Sequence, residues 1–353
     1  MPSSNKIFRP IFILGLWSLF ILPPSALSGP LDSYIEKAKK EGALRVGITI
    51  RKKRFGKPAG EKYLQAFQKQ YPFLSLKFRR IGGSRERERV LAEMSAGLIK
   101  YDVVTMSETA VPIVVQAKLP LIVNWGKLGI PKFLIHPKNV GISMRTPVYG
   151  IAYNRELVSD EVAKTFTWET CNDPKWRGKT AMDDRPRHLN ILYQDNGWGA
   201  EKTIDYAKRW AANKVTVEAS RSTAAQKLAV GAYPLICGMP RRQVRDLQVH
   251  GGVDSVGIVY PEPIPVGIGD IIYIPRKAKH PNAGVVFLAW TATKKAQNLL
   301  DQTDFSGHPS FERNEVSSTL KGKKVVYGDW AYSKRSDEIL AKILRAMGFP
   351  VVR

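Results

Sequence analysis

Apolar and polar positions along this chain alternate between two periods. After residue 30 a helical period covers 31–41 and stops at Gly42. A strand-like run follows over 44–50, then a basic loop over 51–58. Tyr63, Leu64 and Phe67 share one face of a predicted helix over 61–70, which Tyr71-Pro72 ends. A strand over 74–78 leads to Gly82-Gly83-Ser84, which opens a charged helix over 85–96. A third strand covers 102–106, and Ser107-Glu108-Thr109 begins another helix. Strands alternating with helices predict a parallel sheet.

The alternation repeats further on. A strand-like run over 149–153 reaches Asn154, and a short acidic helix follows. Strands are predicted over 179–182, 215–218, 233–237, 257–260 and 271–274. Helices are predicted over 205–213, from Arg221-Ser222-Thr223 to near Gly231, and over 241–250. Two late helices, 282–293 and 295–301, read as packing back on the first unit. The tail carries a basic turn over 321–324, a strand, and an amphipathic helix near 336–347. The expected organisation is two α/β lobes: 29–144 with 270–305, and 149–266 with 306–353. Hinge crossings fall near 144–149 and 263–270, both rich in proline and glycine. A cleft between hinged lobes is a natural ligand site.

A chain of 353 residues with 44% hydrophobic content fits two folded units. The net charge of +24 favours anionic partners. The basic residues are spread through strand and helix patterns without a nucleic-acid module signature, so nucleic acid is not the expected partner. Lys6 and Arg9 precede an apolar run over 11–22, Pro23-Pro24 breaks it, and Ala26-Leu27-Ser28 supplies small residues. That order reads as a secretory leader cleaved after Ser28, which gives a free periplasmic protein. Cys171 and Cys237 allow one pairing, which an exported chain can keep. Against it, Cys237 lies in an apolar strand where a lone buried thiol is at home, and the weight falls on unpaired cysteines. Five histidines show no cluster at zinc-ligand spacing, and no cofactor is expected.

Residues 145–184, RTPVYGIAYNRELVSDEVAKTFTWETCNDPKWRGKTAMDD, place a strand, a short helix, Trp168, a DPKWRGK turn and a second strand in one order. This resembles the second lobe of bacterial extracellular solute-binding proteins, the group that includes the ferric-iron-binding receptors of ABC importers. Further strings match in sequence: IEKAKKEG at 35–42, Phe67 through Pro72, EMSAG at 93–97 before YDVV at 101–104, SETA at 107–110, and AKHPNA at 278–283 before Phe287-Leu288. The resemblance covers nearly all of the chain after the leader. It implies the type II periplasmic-binding-protein fold, α/β with two lobes, a hinge and an interlobe cleft. It also implies transport without chemistry: a monomeric receptor closes on a small solute and delivers it to a permease in the inner membrane.

The iron-binding members hold metal with adjacent tyrosines in the second lobe, a glutamate after the third strand, often a histidine after the first strand, and an anion. Glu108 carries over. The histidine does not, because the loop reads Arg51-Lys52-Lys53-Arg54. Where the tyrosines would lie the chain has Gly238-Met239-Pro240-Arg241-Arg242. Guanidinium repels ferric iron and attracts carboxylate, phosphate or sulfate. The expected ligand contacts are therefore Arg51, Ser84, Glu108, Asp184, Arg185, Ser222, Arg241 and Arg242, with Arg241 or Arg242 facing Ser84 and Glu108 across the cleft. Several of these open helices, where free amides favour anions. A ferric receptor with a synergistic anion, using Glu108, is the alternative. A sensor docking on a membrane kinase is a third reading. A secreted enzyme is a fourth, for which no G-x-S-x-G or H-E-x-x-H string is present. Asp183-Asp184 alternate faces on a strand and make a poor acid–base pair.

Overall fold

The computed structural model describes residues 29–107 and 110–351. The leader reading, Glu108 and the side chain of Ser84 lie outside the described residues. Among those described, no helix is long and apolar enough to cross a membrane.

Two five-stranded sheets organise the chain. In the first the order is Ser75–Arg80, Ala43–Ile48, Val103–Met106, Ile271–Tyr273, Ile142–Ser143. The first three strands are parallel, as the alternating pattern predicts. Ile271–Tyr273 runs against both neighbours, because it enters the sheet on returning from the second lobe. In the second sheet the order is Val256–Val259, Tyr149–Asn154, Leu235–Pro240, Thr180–Asp183, Thr216–Glu218. Here Leu235–Pro240, Thr180–Asp183 and Thr216–Glu218 are parallel, while Tyr149–Asn154 is antiparallel to both neighbours. Both sheets are thus mixed rather than purely parallel.

Helices cover both faces of each sheet. Tyr63 and Phe67 of Gly60–Gln70 pack with Phe287 and Trp290 of Pro281–Thr291 on one side of the first sheet. Val90 and Met94 of Ser84–Ser95 pack with Val114 on the other. Pro281–Thr291 is buried around nearly its whole circumference, and at Gly284 a methyl group would stand 3.0 Å from the Ile274 side chain. In the second lobe Tyr206 and Trp210 pack with Ile339 and Ile343 of the tail helix Ser336–Ala346. Ala224, Leu228 and Val244 cover the opposite face. Fully buried strands such as Val103–Met106 and Tyr149–Asn154 therefore read as continuous apolar runs.

Two differences from the sequence reading concern the second lobe. Cys171 and Cys237 are joined in a disulfide. Their positions converge because the turn Trp168–Asn172 lies against the central strand Leu235–Pro240. The expected helix over 241–250 is two pieces, an α-helical Arg241–Arg245 and a wider π turn at Asp246–His250. The basic loop over 51–58 also contains a small hairpin, Lys53–Arg54 paired with Lys57–Pro58.

Candidate functional site

In open α/β sheets ligands bind outside the carboxyl ends of the strands, where the strand order reverses. The first sheet reverses between Ala43–Ile48 and Val103–Met106. Thr105, Met106 and Ser107 emerge there, beside Gly83 and Arg87 at the start of Ser84–Ser95. From the second lobe, the ends of Thr180–Asp183 and Thr216–Glu218 present Asp183 to Arg185 and Ala219 to Ser222. These two sets of strand ends line one cleft of about 860 Å³. Ser336 and Asp337 of the tail helix also line it. Asn190 holds that helix by donating to Ser336 Oγ at 2.7 Å and to its carbonyl at 3.0 Å.

The charges in the described lining are balanced. Arg87, Arg185, Arg187 and Arg221 stand against Glu88, Asp183, Asp184 and Asp337. Arg221 pairs with Asp183 and lies 5.9 Å from the Tyr149 ring centroid. Burial alone would lower the Arg221 pKa, but the Asp183 carboxylate outweighs it and keeps the guanidinium charged. Asp184 is pushed up by burial and by Asp183, against the pull of Arg185. Its nearest cation, Arg185 Nε, stands 4.0 Å away. Two polar atoms of the first-lobe wall, Thr105 Oγ1 and Arg87 Nε, are buried without a hydrogen-bond partner. Gln243 Oε1 is the matching case in the second lobe.

The residues expected from sequence separate into groups. Asp184, Arg185 and Ser222 line the cleft together. Gly83 and Ser107, the described neighbours of Ser84 and Glu108, line its opposite wall. Arg241 has a different place. It is 1% exposed, and Nη1 donates to Asp301 Oδ1 at 2.8 Å and to the Phe305 carbonyl at 3.0 Å. Arg242 Nε bonds Asp304 at 3.1 Å. Both arginines follow Leu235–Pro240 but turn toward the helix Lys294–Asp304 of the first lobe, away from the cleft lining. The buried carboxylates there draw them in. They tie the lobes to one another and do not face Gly83 and Ser107. Arg51 is exposed and also outside the lining.

Arg51 instead joins a basic group with Arg54 and Arg80, on both of which its charge acts. Arg54 is held down at about 10, first by burial and then by Arg242, with Asp246 opposing. Arg54 bridges the lobes to Asp246 at 3.1 Å. Arg145, in the first crossing, pairs with Asp270 in the second and with Asp304 at 3.2 Å. Sequence reasoning missed Arg87, Thr105, Arg187 and Gln243. Arg87 was legible as a cation in the first turn of a glycine-opened helix; a threonine in an apolar strand gave no signal.

Metal ligation has little support in the described lining. Its one tyrosine, Tyr273, points its hydroxyl at Met94 Sδ, 3.7 Å away, and burial pushes its pKa far up. Among the described residues no group of three or more histidine, cysteine or acidic side chains converges as a metal site.

Solved structures share this architecture. The iron- and citrate-bound FutA of Trichodesmium superposes with a TM-score of 0.68 at 17% identity, covering 88% of this chain and all of that one. Iron-bound HitA from Pseudomonas aeruginosa gives 0.63 at 15%, covering 86% and 99%. The spermidine/putrescine-transporter protein PotD from Streptococcus pneumoniae gives 0.60 at 13%, covering 86% and 99%. No curated protein matches the chain. The family model described as bacterial extracellular solute-binding protein matches residues 62–313, well over half the sequence. With its two mixed sheets and the cleft between them, the chain belongs to the bacterial extracellular solute-binding proteins.

Proposed function

We propose that this chain is the periplasmic receptor of an ABC importer. It captures a small anionic or zwitterionic solute between its lobes and passes it to a permease in the inner membrane. The observation that carries the reading is the cleft itself: about 860 Å³, walled by strand ends from both lobes, with arginines and carboxylates facing in from each. A solute touching both walls favours the closed arrangement by its differential contacts. Arg145, near the first expected hinge crossing, pairs with Asp270, near the second. The receptor binds and releases, with no bond made or broken. Export through the leader-like segment 1–28 and action as a monomer belong to the same reading.

Among similar structures, FutA carries iron and citrate, and PotD belongs to a spermidine/putrescine transporter. Ferric iron wants hard anionic oxygens. The described lining offers guanidinium groups and carboxylates already beside them, which suits an organic ion better than bare iron. The test is a melting-temperature screen of small acids, amino acids and metabolite phosphates. At least one should raise the melting temperature of the parent and fail to raise that of Ala219→Trp, which places an indole in the cleft. A solute acting equally on both would remove the cleft from the account.

A further inference from the structure

We propose that the first-lobe wall of the cleft is an oxyanion subsite, built to take the carboxylate or phosphate group of the solute. The inference rests on the receptor reading and names which end of the solute meets which wall. Thr105 is 5% exposed, its hydroxyl has no partner, and it lies in the cleft wall. A buried polar group without a partner destabilises the fold unless a ligand supplies the missing bond. Arg87 repeats the arrangement. Its Nη2 leans on Asp270 at 3.4 Å, which steadies the guanidinium, while Nε–H is buried and unbonded.

Both groups line the cleft together with Gly83, which precedes the twelve-residue helix Ser84–Ser95. Its N-cap is Gly83, which has no side-chain oxygen to cover the first amides. Glu86 caps one position further out, accepting from the Gly82 amide at 2.8 Å. A helix start, a hydroxyl and a guanidinium N–H then offer donors to one anion. Among the described residues three carboxylates are close by and oppose an anion, and the first of them, Glu86, is already engaged by the Gly82 amide. Asp270 is engaged by Arg87, Arg145 and Thr49, and Glu88 is exposed to solvent, which screens it. The opposite wall carries Asp184, held only loosely by Arg185 at 4.0 Å, so the end of the solute that meets it is a donor: an ammonium or a hydroxyl.

Calorimetry with inorganic phosphate and, separately, with acetate reads the subsite without knowing the solute. The parent should bind at least one ion saturably, phosphate marking a phosphoryl site and acetate a carboxylate site. Thr105→Val keeps the shape and removes the donor; it should bind about tenfold more weakly and melt no lower than the parent. Arg87→Lys keeps the charge but loses Nε–H and should weaken binding similarly, while Arg209→Ala, exposed on the far helix, should match the parent. The subsite is refuted if the parent binds neither ion, or if Thr105→Val and Arg87→Lys bind both as the parent does. Those outcomes leave capture of a solute in the cleft standing, since the melting screen with Ala219→Trp tests that separately.

Discussion

Arg241 and Asp301 are each 1% exposed at the side chain and sit 2.8 Å apart where the lobes meet. Burial pushes the Asp301 carboxyl up and the Arg241 guanidinium pulls it back. Removing one partner of such a pair strands a buried charge, at a cost of about 3–5 kcal/mol. Arg241→Met should therefore lower urea stability by about that much, whereas Arg241→Met with Asp301→Leu should recover most of it. A single variant as stable as the parent would show the pair is dispensable. Three histidines give the molecule a pH dependence of predictable sign. Burial, with Arg221 nearby, holds His188 down to about 3. His136 and His308 are held at about 4, and each accepts a backbone N–H at Nδ1, from Lys138 and Ser310. The unfolded chain takes up these protons near pH 6.5, before the folded one does. The stability they contribute is complete above about pH 6.5 and is lost as pH falls toward 4, by up to about 1.4 kcal/mol per unit for each histidine. Urea midpoints measured between pH 7 and 5 should fall, and His188→Leu should flatten the slope. At this scale the place of Asp184, Arg185 and Ser222 in the cleft lining was legible, because strand ends and helix starts converge there. Arg241 was not, because its partner Asp301 lies 60 residues along the chain and no local pattern announces it.

Among elements, the link between the turn Trp168–Asn172 and the strand Leu235–Pro240 changes the picture most. A disulfide closing a loop of 66 residues restricts the unfolded chain by about 4 kcal/mol on the chain-entropy account. Reduction, or Cys171→Ser with Cys237→Ser, should lower the unfolding free energy by about 2–5 kcal/mol. Unchanged unfolding under reductant would contradict the link. Sequence favoured unpaired thiols because Cys237 looks like any small apolar strand residue; what pairs it is a tertiary contact. The strands themselves were legible almost throughout, since buried strands read as apolar runs between turn residues. Arg187–Leu192 was missed. It is six residues long, follows a proline and is largely buried, so it lacks the polar face that marks a helix. The widening to a π turn after Arg245 was hidden for a different reason: buried Val244, Leu247 and His250 still recur every third residue.

At the scale of the whole molecule, two sheets meet where Arg54, Arg145, Arg241 and Arg242 bridge to carboxylates across the junction, and the cleft opens beyond them. The repeated sheet pattern and the crossings at proline and glycine made this arrangement readable before any contact was known. Solute identity was not readable, because it depends on which donors face one another once the lobes are assembled. The central claim is that this cleft closes on a solute. Small-angle X-ray scattering tests it most directly, titrating the compound that most raises the melting temperature into the parent and into Ala219→Trp. The account predicts a saturable fall in radius of gyration for the parent and none for the variant. Saturable binding with no change in radius, or an equal change in both proteins, would contradict it.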